Sequence, residues 1–168
     1  MEAEEATPPY VTGPNPPPKP DAGKGLKKAL GPLAVLGALD ASYLTYIKLA
    51  HVAALCRGVG DCESVNSSVY SQIYGIPIAI FGLAAYLAVV ALLALEPRSP
   101  LLQDYAPLAV FGLALTGTLY SAYLTYVELF VIHAVCPYCV ASALLITGVF
   151  ALAVVRLVRG PLAGAAEQ

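Results

Sequence analysis

Charged residues along this chain come in bunches, separated by long apolar stretches. Residues 64–95 contain no Asp, Glu, Lys or Arg, and neither do 105–127 or 134–155; residues 29–47 contain one, Asp40. A helix needs about 20 mostly apolar residues to cross the hydrocarbon of a bilayer. The pattern predicts such helices near 30–52, 76–95, 106–130 and 138–158. The runs are continuous rather than alternating, which argues against a β-barrel, and lone strands would leave backbone groups unpaired in lipid. The expected fold class is therefore an all-α membrane protein, a four-transmembrane-helix bundle. A short outer half-helix is expected from Cys62 toward Tyr70, with Asp61 as its N-cap.

Composition strengthens this. Hydrophobic residues make up 58% of the chain and charged residues 12%, against a usual charged share of about 25%. A soluble helical bundle would need charged outer faces, and these are missing. The first 23 residues differ: Glu2, Glu4 and Glu5 are followed by seven prolines between Pro8 and Pro20. Such a segment favours a disordered or extended tail. It lacks the basic start and short apolar core of a secretion signal, so the first span is expected to be a retained anchor. The expected organisation is a Pro-rich tail over 1–28, a four-helix membrane domain over 29–158 and a second tail over 159–168. The net charge of −2 is uninformative, and no nucleic-acid partner is expected.

The placement of basic residues predicts an orientation. Lys19, Lys24, Lys27 and Lys28 precede span one, Arg98 lies between spans two and three, and Arg156 and Arg159 close span four. Only Lys48 and Arg57 sit toward the other face. Lys and Arg mark the cytoplasmic side, so both termini are expected in the cytoplasm of a multi-pass inner or cell-membrane protein. All four cysteines then fall on the extracytoplasmic face: Cys56 and Cys62 in the first outer loop, Cys136 and Cys139 at the second outer turn. There, thiols can be held as disulfides.

The chain also echoes itself. Residues 42–49 (SYLTYIKL) resemble 122–129 (AYLTYVEL) at an offset of 80, and that offset also carries Cys56 onto Cys136. Spans one and three read as parallel copies, each delivering a cysteine beyond its outer end. Convergence on an aromatic interface belt is the alternative, since Tyr favours that depth, but seven near-matching positions together with the cysteine favour duplication or shared function. Lys48 and Glu128 occupy equivalent positions, and a pairing between them is an expectation.

Cys136-Pro137-Tyr138-Cys139 is a Cys-x-x-Cys motif at the start of span four. Helix N-termini offer unpaired N–H groups and partial positive charge, which favour the reactive thiolate, and Pro137 suits a first helical turn. Cys56 and Cys62 bracket a loop containing Gly58 and Gly60, supple enough to close a disulfide or to swing. Two dithiols on one face suit a relay, and thiol–disulfide exchange passes through mixed disulfides, so the loop pair must reach the motif pair. Static disulfides stapling the outer loops, within a non-enzymatic scaffold, would use the same residues; a four-thiolate zinc site is a further alternative.

Cys56, the run Cys62-Glu63-Ser64-Val65-Asn66-Ser67-Ser68, then Tyr74-Gly75-Ile76-Pro77 and Cys136-Pro137-Tyr138-Cys139 together resemble the vitamin K epoxide reductase family over roughly residues 29–158. The resemblance implies a bundle enclosing a quinone (menaquinone or ubiquinone) near the outer face. It implies that electrons enter from a thioredoxin-like, DsbA-like protein at Cys56 and Cys62, pass to Cys136 by a Cys62–Cys136 disulfide, and reach the quinone from Cys139. Ser68 matches a family serine near the quinone; Ser71 and Tyr74 are further expected quinone contacts. The implied activity is quinone-dependent dithiol oxidation in support of disulfide formation. Many bacterial relatives carry a fused thioredoxin domain. This chain ends soon after span four, so a separate partner is expected. Animal members have a tyrosine where Ala143 stands and an asparagine near Ser71, which favours a plain quinone over an epoxide as substrate. Asp40 inside span one and His133 just before the motif are secondary candidates.

Overall fold

A computed structural model of the protein describes residues 22–52, 56 and 60–159. Of the tails expected over 1–28 and 159–168, residues 1–21 and 160–168 lie outside the described residues, and 22–28 and 159 belong to helices. Among the described residues there are five α-helices: α1 (Ala22–Leu49), α2 (Cys62–Ser67), α3 (Ile78–Leu95), α4 (Pro100–Val127) and α5 (Pro137–Arg159). Four of them are long and apolar enough to cross a membrane, as Gly25–Leu49, Ile78–Arg98, Pro100–Ile132 and Pro137–Arg159. The hydrophobic pattern placed all four but misjudged two starts. α1 begins at Ala22 rather than near 30, and Lys27 within its first turns reaches Glu96. α4 begins at Pro100 because proline fits a first helical turn, and its polar Gln103 and Asp104 stand exposed.

α1 packs against α3 and α5, and α4 packs against the same two helices, so α1 and α4 lie diagonally across a four-helix bundle. The core is one residue per helical turn from each span: Leu30, Ala34, Ala38 and Ala41 from α1; Tyr86, Val89 and Leu93 from α3; Val110 and Ala114 from α4; Ile146, Val149 and Ala153 from α5. Small residues let apolar helices approach closely where lipid removes the usual hydrophobic drive. At Gly37 the approach is closest: a Cβ there would lie 2.2 Å from the Tyr86 ring. Tyr86 in turn donates its hydroxyl to the Ser142 carbonyl at 2.9 Å, tying α3 to α5. Leu36, Leu39, Leu108, Leu119 and Leu144 point outward, a lipid-facing surface.

At the end of the bundle away from the cysteines, Glu96 is buried and paired with both Arg156 and Lys27. One carboxylate thus joins the end of α3 to α5 and α1. The opposite end is built from α2, a 3-10 turn over Val69–Ser71 and a hairpin, β1 (Gln72–Ile73) with β2 (Ile76–Pro77). Its two turn residues, Tyr74 and Gly75, both have positive φ, 50° and 81°, as a type I′ turn requires.

Spans one and three finish alike. α1 ends on His51 in the left-handed region (φ 51°), with Val52 N–H bonding the Ile47 carbonyl at 3.1 Å. This is a Schellman-type end. α4 continues into a π-helical turn over Glu128–Ile132 and stops on His133, also left-handed (φ 56°), with Ala134 N–H bonding the Glu128 carbonyl at 3.1 Å. The second copy reaches its left-handed histidine two residues later in the repeat, and the wider π turn accommodates the difference.

Candidate active site: two thiol pairs above an apolar cavity

Asp61 caps α2 as expected, its carboxylate accepting the Ser64 N–H at 3.0 Å. The Ser64 bonds hold the Asp61 carboxyl below the usual carboxylate range. This places Cys62 at the first position of α2, facing inward. Cys62 is joined to Cys56 by a disulfide whose Cα atoms are 6.3 Å apart. Cys136 and Cys139 are free thiols. With two of the four sulfurs bonded to each other, the four-thiolate zinc arrangement is not formed.

The loop pair is docked on the motif pair. Cys62, Val65 and Cys136 form one buried cluster, with Cys56, Ala134, Tyr138 and Cys139 packed against it. Asp61 N–H bonds the Val135 carbonyl at 3.1 Å. Gly60 makes this possible: its φ is +80°, and a Cβ there would meet the Val135 oxygen at 2.3 Å. Cys62 and Cys136 are 2% and 1% exposed, so both sulfurs are shielded from bulk thiols. The Cys62–Cys136 bond implied for electron transfer is not the one present; the structure holds the loop pair oxidised and the motif pair reduced.

Cys136 immediately precedes α5, and its carbonyl accepts the Val140 N–H at 3.0 Å. Its thiol is drawn down to about 7, first by the hydrogen bond from the Cys139 thiol, then by the N–H groups of Cys139 and Tyr138; burial and the Glu128 carboxylate oppose this. A thiol so placed is substantially thiolate near neutrality, the form that exchanges with disulfides. Tyr138 packs on Tyr43 of α1 with ring centroids 5.0 Å apart, fixing the entry of α5.

Beneath the sulfurs lies a cavity of about 650 Å³, within the roughly 300–1,000 Å³ range of small-molecule sites. Leu44, Ile47, Ile78, Phe81, Leu113 and Leu124 supply much of its apolar wall, and Cys62, Cys136 and Cys139 reach it at the outer end. The lining suits a largely apolar small molecule, with a thiol at its wall. Ser68 and Ser71 both line it. The Ser68 hydroxyl donates to the Val65 carbonyl at 2.8 Å. The Ser71 hydroxyl lies 2.6 Å from the Asn66 carbonyl and receives Lys48 Nζ at 3.0 Å.

Two expectations are corrected. Tyr74 is fully exposed at the hairpin tip and does not line the cavity; its left-handed backbone turns it outward. Lys48 does not pair with Glu128. Lys48 bonds the Asn66 carbonyl and Ser71, capping the end of α2, while Glu128 accepts the Cys136 N–H at 3.3 Å. His133 is an exposed cap of the π turn rather than a cavity residue. Asp40 is half-buried, with Oδ2 unbonded and outside the cavity wall. Glu128, 4% exposed, does line the cavity; the sequence signalled it only as the repeat equivalent of Lys48.

The chain matches the model of the vitamin K epoxide reductase family over residues 28–154. It is also 34% identical over 122 residues to a protein of Arabidopsis thaliana named thiol-disulfide oxidoreductase LTO1. That similarity covers 69% of this chain and 32% of the plant protein, so the chain spans about a third of its relative's length. The family match takes in all four cysteines and every membrane-spanning helix, and on it the chain belongs to the vitamin K epoxide reductase family.

Proposed function

We propose that this chain is a membrane thiol–quinone oxidoreductase. It oxidises a thioredoxin-like, DsbA-like partner on the extracytoplasmic face and passes the electrons through its two cysteine pairs to a membrane quinone, in support of disulfide formation. The observation that carries this reading is a closed Cys56–Cys62 disulfide packed on a reduced Cys136/Cys139 pair at the mouth of an apolar cavity. The family membership and the name of the plant relative support thiol–disulfide chemistry.

The residues divide the work by position. The Cys56–Cys62 disulfide accepts electrons from the partner's dithiol through a mixed disulfide. The reduced Cys62 then attacks Cys136 of the oxidised motif, expelling Cys139 toward the cavity. A bound quinone supplies two-electron acceptance. The burial of Cys62 and Cys136 against each other protects the transfer from stray thiols, and Ser68, Ser71 and Lys48 shape the outer wall of the cavity.

Purified protein, a reduced thioredoxin-like protein and a water-soluble quinone form the test. Thiol oxidation should depend on the quinone and be abolished by Cys139→Ser. Undiminished quinone-dependent turnover in that variant refutes the relay. Two static disulfides in every redox buffer would favour the scaffold reading instead.

A further inference from the structure

Glu128 is a carboxylate buried at the outer end of a membrane helix, a costly place for an ionisable group. Its polar contacts are with the motif cysteines: it accepts the backbone N–H of Cys136 at 3.3 Å, and it accepts from the Cys139 thiol. Lys48 lines the same cavity, but its ammonium is committed to Asn66 and Ser71. An asparagine or glutamine would satisfy the Cys136 N–H equally well without the cost of a buried charge. What an acid adds is the ability to take a proton from the neighbouring thiol.

Resting on the functional reading above, we propose that Glu128 is a catalytic residue, the acceptor and carrier of the Cys139 proton. Oxidation of the Cys136/Cys139 dithiol breaks two S–H bonds, forms one S–S bond and releases two electrons and two protons. The electrons go to the quinone, which takes up two protons as it becomes the quinol. The Cys139 proton moves to the Glu128 carboxylate as the S–S bond forms, and from there to the reduced acceptor in the cavity. The Cys136 proton leaves to water, and water returns the second proton to the quinol. The π turn contributes by geometry, since it is the element that carries Glu128 at the cavity wall beside both sulfurs; such turns recur at functional sites.

The test compares the full-length protein with Glu128→Gln and Glu128→Asp. Gln keeps an oxygen for the Cys136 N–H but cannot carry the proton. Quinone reduction by the pre-reduced protein should fall about a hundredfold or more in E128Q, the usual scale of acid–base catalysis, and recover in large part in E128D. Reduction of the Cys56–Cys62 disulfide by a small dithiol should be unchanged in both. Infrared spectra of the quinone-free protein in a Cys136→Ala background, where the Cys136 sulfur no longer competes for the one Cys139 proton, give a second readout: the S–H band lost on adding Cys139→Ser should shift to higher frequency on adding E128Q, because an amide accepts more weakly than a carboxylate. A wild-type rate in E128Q, or an unmoved S–H band, overturns the proposal. Equal slowing in E128Q and E128D overturns it too, as the mark of a positional role. A wild-type protein unable to reduce quinone would instead overturn the functional reading, and this proposal with it.

Discussion

Replacing Gly60 by alanine should uncouple the two cysteine pairs while leaving the bundle folded. Three costs converge on this position. A non-glycine residue in the left-handed region costs roughly 1–2 kcal/mol, and Gly60 has φ +80°. The new Cβ would sit 2.3 Å from the Val135 oxygen, so the two backbones must part. Parting them breaks the 3.1 Å bond from Asp61 N–H to that oxygen, worth about 0.5–1.5 kcal/mol net. The strain and the lost bond together come to roughly 1.5–3.5 kcal/mol, and each 1.4 kcal/mol is a factor of ten. The docked arrangement should therefore become roughly ten- to three-hundred-fold less populated. The assay uses a Cys56→Ala background, in which Cys62 can attack the Cys136–Cys139 disulfide and remain cross-linked to Cys136. The protein is equilibrated in a thiol–disulfide buffer, its free thiols are alkylated, and the cross-link is quantified by mass spectrometry. Adding Gly60→Ala should lower its yield by the factor above. Gly75→Ala is the control: φ is +81° there as well, but nothing lies within 4 Å of the added Cβ, so it bears the strain without touching the docking. An unchanged yield in the Gly60 variant, or an equal loss in the Gly75 variant, would show that the Gly60–Val135 approach does not hold the pairs together.

Thiolate absorbance of the protein with its loop disulfide intact should rise with a midpoint at about pH 7 from Cys136; reactive thiolate is thus lost as pH falls below that midpoint, and Cys139→Ala should move it upward by removing the largest stabilising hydrogen bond. Gly37→Ala drives a methyl group into the Tyr86 ring and should cost about 1–3 kcal/mol by overpacking, seen as a lower unfolding temperature in detergent. Glu96→Ala leaves Arg156, whose side chain is 11% exposed, without its partner and should cost about 3 kcal/mol or more. Lys27→Ala, at 29% side-chain exposure, should cost less than about 1 kcal/mol in the same measurement.

Much of the fold was legible because lipid imposes a severe constraint. A stretch such as 134–155, without a single charged side chain, has few soluble alternatives, and span parity then put four cysteines at one end. The cap at Asp61 and the helix start at Pro137 were readable because a capping carboxylate and a first-turn proline act locally. Features set by backbone handedness were not readable. Tyr74 looked like a ring contact because aromatic residues crowd that face, yet a positive φ at both Tyr74 and Gly75 sends the tyrosine outward. Glu128 looked like an interfacial charge awaiting Lys48. No apolar pattern encodes the π turn, and without that turn the carboxylate's place beside the sulfurs could not be foreseen.

The internal echo gains its meaning from this failure. Copies that differed only in side chains would present Lys48 and Glu128 in like surroundings. Instead, the first copy closes promptly on His51, and Lys48 turns to the carbonyl of Asn66 and the hydroxyl of Ser71. The second widens before closing on His133, and Glu128 reaches Cys136 and Cys139. Both side chains line one cavity from helices diagonally opposed across the bundle. A cation thus supports the wall nearest the α2 loop, where neutral carbonyls need a donor, and an acid stands at the wall beside the motif thiols. Cys56 and Cys136 keep the 80-residue offset despite the two-residue slip of the histidines between the copies, and the two pairs pack on each other. That packing runs through one short loop, whose backbone meets Val135 at Asp61 beside Gly60, which is why so much of the coupling falls on Gly60.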